Sequence, residues 1–248
     1  MVIREKIVDC GEYREVSIYS FFGDHQKKRS AKKEASTPRQ VRANHVHAQK
    51  NLARLLNANF KPGDVRVELT YSDEFYPATV EDAQRKMKNF LRRLKSFRRK
   101  AGRSELKYVF VTEIGRTFGR IHHHVVMSGG VTKEEIHKIW GQGSVRIDKL
   151  KFGPTGLVDL AYYLTKDDPI MKKHWIGSRN LKQPIEIVHD DRISQRDLNR
   201  WTCLGWDERQ QLTMRYGDGY VMSAYENHFN ELNGNNLNIV FILNKNKK

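Results

Sequence analysis

Residues 65–71, Val-Arg-Val-Glu-Leu-Thr-Tyr, alternate apolar and polar side chains, so Val65, Val67 and Leu69 share one face of a predicted strand. Thr79 followed by Val-Glu-Asp is a helix start, and Met87, Phe90, Leu91, Leu94 and Phe97 then recur at helical spacing as far as about Lys100. The opposite face of that helix carries Arg85, Lys88, Arg92, Arg93, Lys95, Arg98 and Arg99. Residues 107–114 form a second strand, and a glycine-containing turn (115–120) leads to a third over 121–127. Thr132, with Glu135 three positions on, caps a short helix that runs to Trp140 and stops at Gly141-Gln-Gly143. Residues 144–147 read as a fourth strand and 157–166 as a further helix. The order from residue 65 is therefore β-α-β-β-α-β and then one more helix. That is the order of a ferredoxin-like or RRM-like α+β core, with a mainly antiparallel sheet and helices packed on one face.

Outside this core the pattern is thinner. Residues 1–35 combine a short apolar run (16–22) with the basic cluster Lys27-Lys28-Arg29 and Lys32-Lys33, which suggests an extended arm. Residues 39–59 are helix-patterned and end before Pro62-Gly63-Asp64. Beyond Asp168, one helix is expected from Ile193 to about Leu212, a turn at 233–236 and a last strand at 237–243. The resulting division is a basic N-terminal arm and helix (1–60), a core (61–168) and a C-terminal extension of open role (169–248).

Charge sharpens the picture. Lys and Arg total 45 against 29 Asp and Glu, a formal net charge of +16 over 248 residues. An excess of that size points to a polyanionic partner, most often nucleic acid, because each neutralised phosphate releases counterions. No apolar run approaches the ~18 residues of a membrane helix, and the N-terminal decapeptide lacks the apolar centre of a secretory signal. Cys10 and Cys203 lie far apart, which argues for free thiols in a reducing compartment and against a thiolate zinc site. A soluble intracellular protein is the expectation.

The candidate chemistry sits on the third strand. In Arg120-Ile-His-His-His-Val-Val126, His122 and His124 share a face and His123 points to the other. If the preceding turn pairs Ile114 with Ile121, Glu113 falls opposite His122 on the face of both imidazoles. Two imidazoles and a carboxylate can hold a divalent ion with open positions, Mg²⁺ or Mn²⁺, with Mn²⁺ the better match to imidazole. His45 and His47 have the same spacing, but they lie in a helix-patterned segment where i and i+2 are roughly 200° apart, so they cannot close on one metal. In the last core helix, Tyr163 and Lys166 are three apart and share a flank. A phenol becomes a useful nucleophile once its proton is removed and its target phosphate is polarised, and an adjacent ammonium helps balance the charge.

Together these residues resemble the HUH endonucleases, in particular the rolling-circle replication initiators of single-stranded DNA phages and small plasmids. The strand ending in Leu69-Thr70 matches the end of the first motif. Glu113 with Gly119-Arg120-Ile121-His122-His123-His124 matches the metal motif, and Tyr163-Leu-Thr-Lys166 matches the Tyr-x-x-Lys nucleophile motif. The match spans about residues 65–168. It departs at His123, where a bulky hydrophobic is usual, and at Arg66 and Glu68, where the first motif often has an aromatic and Thr. Relaxases place the tyrosine before the histidines, so the order here disfavours that branch.

The resemblance implies a reaction. His122, His124 and Glu113 would hold Mg²⁺ or Mn²⁺ against the scissile phosphate of a single-stranded or hairpin origin. Tyr163, aided by Lys166, would form a 5′-phosphotyrosine and free a 3′-OH primer, and the strand would later be rejoined. Arg120, Arg92, Arg93 and Arg98 are the expected DNA contacts. A host helicase and polymerase would be further partners, in the cytoplasm of a bacterium carrying the phage or plasmid. No G-x-x-x-x-G-K-[ST] loop occurs in the sequence, so no fused ATPase is expected. Two other readings stand beside this one. A single-tyrosine transposase would use the same chemistry, though its family usually stops soon after the tyrosine helix. A non-catalytic RRM-like module would stack bases on aromatics where this chain has His122, His124 and Glu113.

Overall fold

The structure is a computed structural model that describes residues 2–23, 37–115, 119–166, 175–231 and 234–245. In chain order its elements are β1 (Val2–Asp9), β2 (Tyr13–Phe21), α1 (Pro38–Asn59), β3 (Val65–Leu69), a 3-10 turn (Asp73–Phe75), α2 (Val80–Lys100), β4 (Tyr108–Ile114) and β5 (Ile121–Met127). There follow α3 (Lys133–Trp140), β6 (Val145–Lys149), α4 (Val158–Leu164), β7 (Ile176–Gly177), β8 (Ile185–Asp190), α5 (Gln195–Trp201), α6 (Trp206–Tyr216), β9 (Tyr220–Asn230) and β10 (Gly234–Leu243). The chain divides into two compact units, each with a five-stranded sheet: Met1–Ala58 with Gly153–Asp159 and Gln183–Lys248, and Asn59–Phe152 with Leu160–Lys182.

In the second unit the sheet order is β6-β3-β5-β4-β7, and every neighbouring pair is antiparallel. Strands β3 and β4 therefore run parallel, joined by α2, with β5 inserted between them. One face of this sheet is the apolar one read from the alternation. Val65, Val67, Leu69, Phe110, Ile121, Val125 and Met127 pack on Met87, Phe90, Leu91 and Leu94 of α2 and on Ile136 and Trp140 of α3. Helix α2 starts where Thr79 accepts from the Asp82 N–H, and α3 starts in a Thr132–Glu135 capping box. Gly143 brings the start of β6 against β3, because a Cβ there would lie 2.3 Å from the Thr70 carbonyl oxygen.

The basic face of α2 needs a correction at Arg98. This side chain is buried, and it donates from Nε to the Ser104 carbonyl (3.0 Å), from Nη1 to the Gly129 carbonyl (2.7 Å) and from Nη2 to the Ser104 hydroxyl (3.0 Å). Its guanidinium joins the end of α2 to the loop after β5, so it is a structural cation and not a surface one. Arg98→Met would leave those acceptors unpaired in the interior. It is expected to destabilise the fold by about 3 kcal/mol, measured as a lowered urea midpoint at unchanged slope.

The first unit departs from the sequence expectation. Residues 2–21 are not an extended arm. Strands β1 and β2 pair with each other, with β8 and with β10 in a sheet of order β8-β1-β2-β10-β9. The segments at 1–60 and 169–248, separated in the sequence reading, thus share one sheet. The basic cluster at 27–33 lies outside the described residues. On one face Val16, Ile18, Leu237, Ile239 and Phe241 pack on Leu198 and Trp201 of α5 and on Leu212 and Tyr216 of α6. The buried Glu5 carboxylate on that face accepts from Tyr216 and from Arg215. The other face meets the C-terminal half of α1, where Arg54 donates to Glu15 at 2.7 Å and Tyr13 donates to the same carboxylate at 2.5 Å. The single helix expected over 193–212 is two, broken at 202–205, and the strands β7, β8 and β9 were not anticipated.

Candidate metal centre

The second face of the β3-β5-β4 sheet is the polar one. Strands β4 and β5 pair with Ile114 opposite Ile121 and Glu113 opposite His122, the register inferred from the turn. Gly119 supplies the positive φ (61°) at the turn's end, and the Gly115 N–H closes it on the Arg120 carbonyl at 2.9 Å. Strand alternation then places Glu113, His122 and His124 on one face. Their donor atoms lie within 4.8 Å of one another.

The contacts are specific. The Nε2 atoms of His122 and His124 lie 3.0 and 2.6 Å from the same Glu113 Oε1, and Lys166 Nζ is 3.7 Å from that oxygen. Burial alone would push the Glu113 carboxyl up. The hydrogen bonds from His122 and His124 and the charges of His124 and Lys166 overcome this and hold it well below the usual carboxylate range. Burial would lower His122, but the Glu113 bond, the Arg120 carbonyl and the charges of Glu113 and Glu68 raise it. Glu113 and His124 are both buried.

This donor set fits a divalent metal ion. His122 Nδ1 lies 3.2 Å from the Arg120 carbonyl oxygen, so a proton donated there leaves Nε2 as the ligand atom. An outer hydrogen bond of this kind is how metal-binding imidazoles are commonly oriented. For His124, the polar contact is made at Nε2 alone, because its buried Nδ1 has no partner.

The middle histidine has a different task. His123 is fully buried on the α2 side, with Nε2 2.7 Å from the Tyr71 hydroxyl and Nδ1 2.8 Å from Thr112 Oγ1. Burial, joined by the neighbouring His122 and His124, lowers it to about 3, so it is a neutral core residue with both nitrogens satisfied. His123→Leu would strand the two hydroxyls. A stability loss of about 2 kcal/mol is expected in denaturant titration, although Leu restores an apolar side chain at that point.

Helix α4 brings the tyrosine. The Tyr163 ring meets the His124 ring edge-on at 5.6 Å between centroids, and Lys166 Nζ lies 4.3 Å from the Tyr163 centroid. The helix ends at Leu164, two residues before the expected boundary, and the buried Thr165 donates to the Ala161 carbonyl at 2.7 Å. Tyr163 is about as exposed as Tyr162.

The predicted arginines are placed apart from this cluster. Arg120 donates to Asp73 (2.6 Å) and to the Tyr71 carbonyl (3.1 Å), and it lies over the Tyr76 ring, so it fixes the loop after β3 while its own carbonyl orients His122. Arg92 and Arg93 are exposed on α2, the helix that covers the opposite face of the sheet, and Arg93 donates to the Ile139 carbonyl at the end of α3 (2.8 Å). Arg98 is buried, as described.

Two residues on the site face were not singled out from the sequence. Glu68 is paired opposite His124 in the β3–β5 register. Arg66 donates to Asp148 at 2.7 Å, with its Cζ 5.4 Å from the Tyr163 ring centroid. The signal was available: in Val-Arg-Val-Glu-Leu the two charged residues occupy the polar alternation of a strand neighbouring β5.

Residues 64–168 match a family model of replication-associated proteins, the ORF2 type. That stretch contains β3 to α4 and every residue of the cluster through Lys166. The similarity supports a replication-associated protein. No curated protein and no solved structure matches the chain. Among the described residues, no helix is long and apolar enough to cross a membrane.

Proposed function

We propose that the chain is a replication initiator that nicks single-stranded origin DNA with Tyr163 and later rejoins it. The observation that supports this most directly is the convergence of Glu113, His122 and His124 on one point, with Tyr163 against His124 and Lys166 bridging Glu113 and the tyrosine ring. The replication-associated family match over the same residues agrees with it.

His122, His124 and Glu113 would hold Mg²⁺ or Mn²⁺, with the imidazole donors favouring Mn²⁺. Such an ion supplies polarisation of a phosphoryl oxygen and neutralises charge that builds there. The Tyr163 oxygen attacks the scissile phosphorus as the phenolic proton departs. An O–P bond forms, the bond from phosphorus to the 3′ oxygen breaks, and that oxygen leaves as a protonated 3′-OH. The 5′ phosphate stays on the tyrosine as a diester, so the reverse attack by a 3′-OH restores the strand without further energy input. Lys166 offsets negative charge on the tyrosine oxygen or the phosphate. Glu113 keeps two imidazoles and Lys166 ordered before substrate arrives, which lowers the cost of assembling the site.

The test is incubation with single-stranded DNA carrying a candidate origin, Mn²⁺ present, followed by a denaturing gel. The expected product is a protein band shifted by covalently attached DNA whose label is at its 3′ end. A label retained only on 5′-side fragments attached to protein would contradict the proposed polarity. No attachment with any hairpin or single strand that the chain binds would overturn the reading.

A further inference from the structure

The first half of α1 is not used by the site or by the core of the first unit. Residues 38–44, 46 and 47 are exposed, whereas Leu52, Ala53, Arg54, Leu56 and Asn57 are buried. The buried half is pinned at two points, by Arg54 on Glu15 and by the Asn57 amide oxygen accepting the Leu157 N–H at 3.0 Å. The exposed half is therefore a fixed rod of about 15 Å. Over its 22 residues, α1 contains Arg39, Arg42, Lys50 and Arg54 and no Asp or Glu. Arg39, Arg42 and Lys50 form no ion pair among the described residues. Arg39 and Arg42 sit toward the positive end of the helix, where cations cost stability, so local folding does not account for them. Val41 and Val46 are about half exposed.

We infer that this half-helix is a docking surface for duplex DNA, seated in the major groove. The charge fits a polyanion. The shape fits too, since an α-helix with its side chains is about 10–12 Å across and the B-form major groove about 12 Å wide. Single-stranded DNA is the poorer match, because residues 37–59 contain no Phe, Tyr or Trp to stack bases. Double-stranded RNA is excluded by its narrow major groove. Arg39, Arg42 and Lys50 would meet phosphates, while Asn44, Val41 and Val46 are side chains able to read adenine edges and thymine methyls. The inference rests on the proposed function only for choosing DNA as the polyanion. It gives the nicking protein a means of holding the duplex that flanks its single-stranded substrate.

The full chain is titrated in EDTA, so that no cleavage is needed, against a labelled duplex of about two helical turns and against a single strand of the same length. Fluorescence anisotropy is read over a range of salt. The R39A/R42A/K50A variant is expected to bind duplex at least about tenfold more weakly and to lose about 2–3 from the log–log salt slope, with single-strand affinity changed far less. The K88A/R99A/K100A variant removes as many charges from exposed positions of α2 and is expected to retain most duplex affinity. An equal loss in both variants, an equal loss for single strand and duplex, or an unchanged duplex slope would each overturn the inference. Because covalent attachment is not measured here, failure of the nicking reading would leave these outcomes unaffected, and the reverse also holds.

Discussion

Replacing Tyr163 by Phe is expected to abolish the covalent protein–DNA species while leaving single-strand binding and the fold in place. The ring makes the contacts seen in the structure, edge-on to His124 at 5.6 Å and beneath Lys166 Nζ at 4.3 Å, and Phe keeps the ring. Removing one partly exposed hydroxyl should change stability by no more than about 0.5 kcal/mol. The chemistry, by contrast, loses its attacking atom. Loss of a nucleophile costs on the order of 10⁴-fold or more in rate, and here no covalent species can form through Phe at all. The measurement is the denaturing-gel assay with 3′-labelled single strand, alongside anisotropy for binding and a thermal melt for folding. Tyr162 provides an internal comparison, since it is adjacent and similarly exposed but would place lysine out of the i, i+3 position. A full-strength adduct in Tyr163→Phe would move the nucleophile to Tyr162 or elsewhere and remove the role given to α4.

The core of the second unit was legible because its two periodicities are clean. Alternation in 65–69 and 121–127 and helical spacing in 87–97 each assign a buried face, and the observed core uses those faces. Pairing Glu113 with His122 required only a short turn between two strong strands. A one-residue slip would have moved every ligand candidate to the α2 side. Arg98 was misread because its sequence spacing fits both a basic surface and a helix end folded against the next loop. Only the neighbouring Ser104 and Gly129 carbonyls distinguish the two. Arg66 and Glu68 were noticed as departures from a motif when their place in the alternation already put them on the site face.

The first unit was largely illegible, for a different physical reason. Its sheet joins strands from both ends of the chain: β1 pairs with β8 and β2 with β10, across most of the sequence. No local pattern encodes a partner that distant. The strands themselves are also weakly patterned. Glu5 sits buried among apolar neighbours because Arg215 and Tyr216 answer it from α6, and Asn236 and Asn238 occupy the strand that looked like a turn. β8 is an exposed edge with Ile185, Ile187 and Val188 only partly covered. Residues 195–216 break into two helices where Cys203-Leu-Gly205 interrupts the pattern, Gly205 serving as the start of α6.

Metal removal provides the second large effect, and it can be read without any DNA. With the ion absent, Glu113 Oε1 satisfies two imidazoles at 3.0 and 2.6 Å, so the apo site is ordered and the fold does not depend on the ion. Added Mn²⁺ should therefore bind a preformed site and raise the melting temperature, with the stabilisation growing to about 2.7 kcal/mol at a hundredfold excess over Kd. His124→Ala removes one ligand and leaves the others, and it is expected to weaken Mn²⁺ binding by about 100-fold in calorimetric titration. His123→Leu should keep Mn²⁺ affinity near the native value once its lower stability is allowed for, since His123 faces Tyr71 and Thr112 on the other side of the sheet. That contrast between adjacent histidines tests the strand geometry directly. In the DNA assay, EDTA should stop adduct formation and Mn²⁺ should restore it. Cleavage that runs unchanged in chelator, or Mn²⁺ affinity that falls equally in His123→Leu and His124→Ala, would show that convergence on Glu113 is a hydrogen-bonded triad and not a metal site.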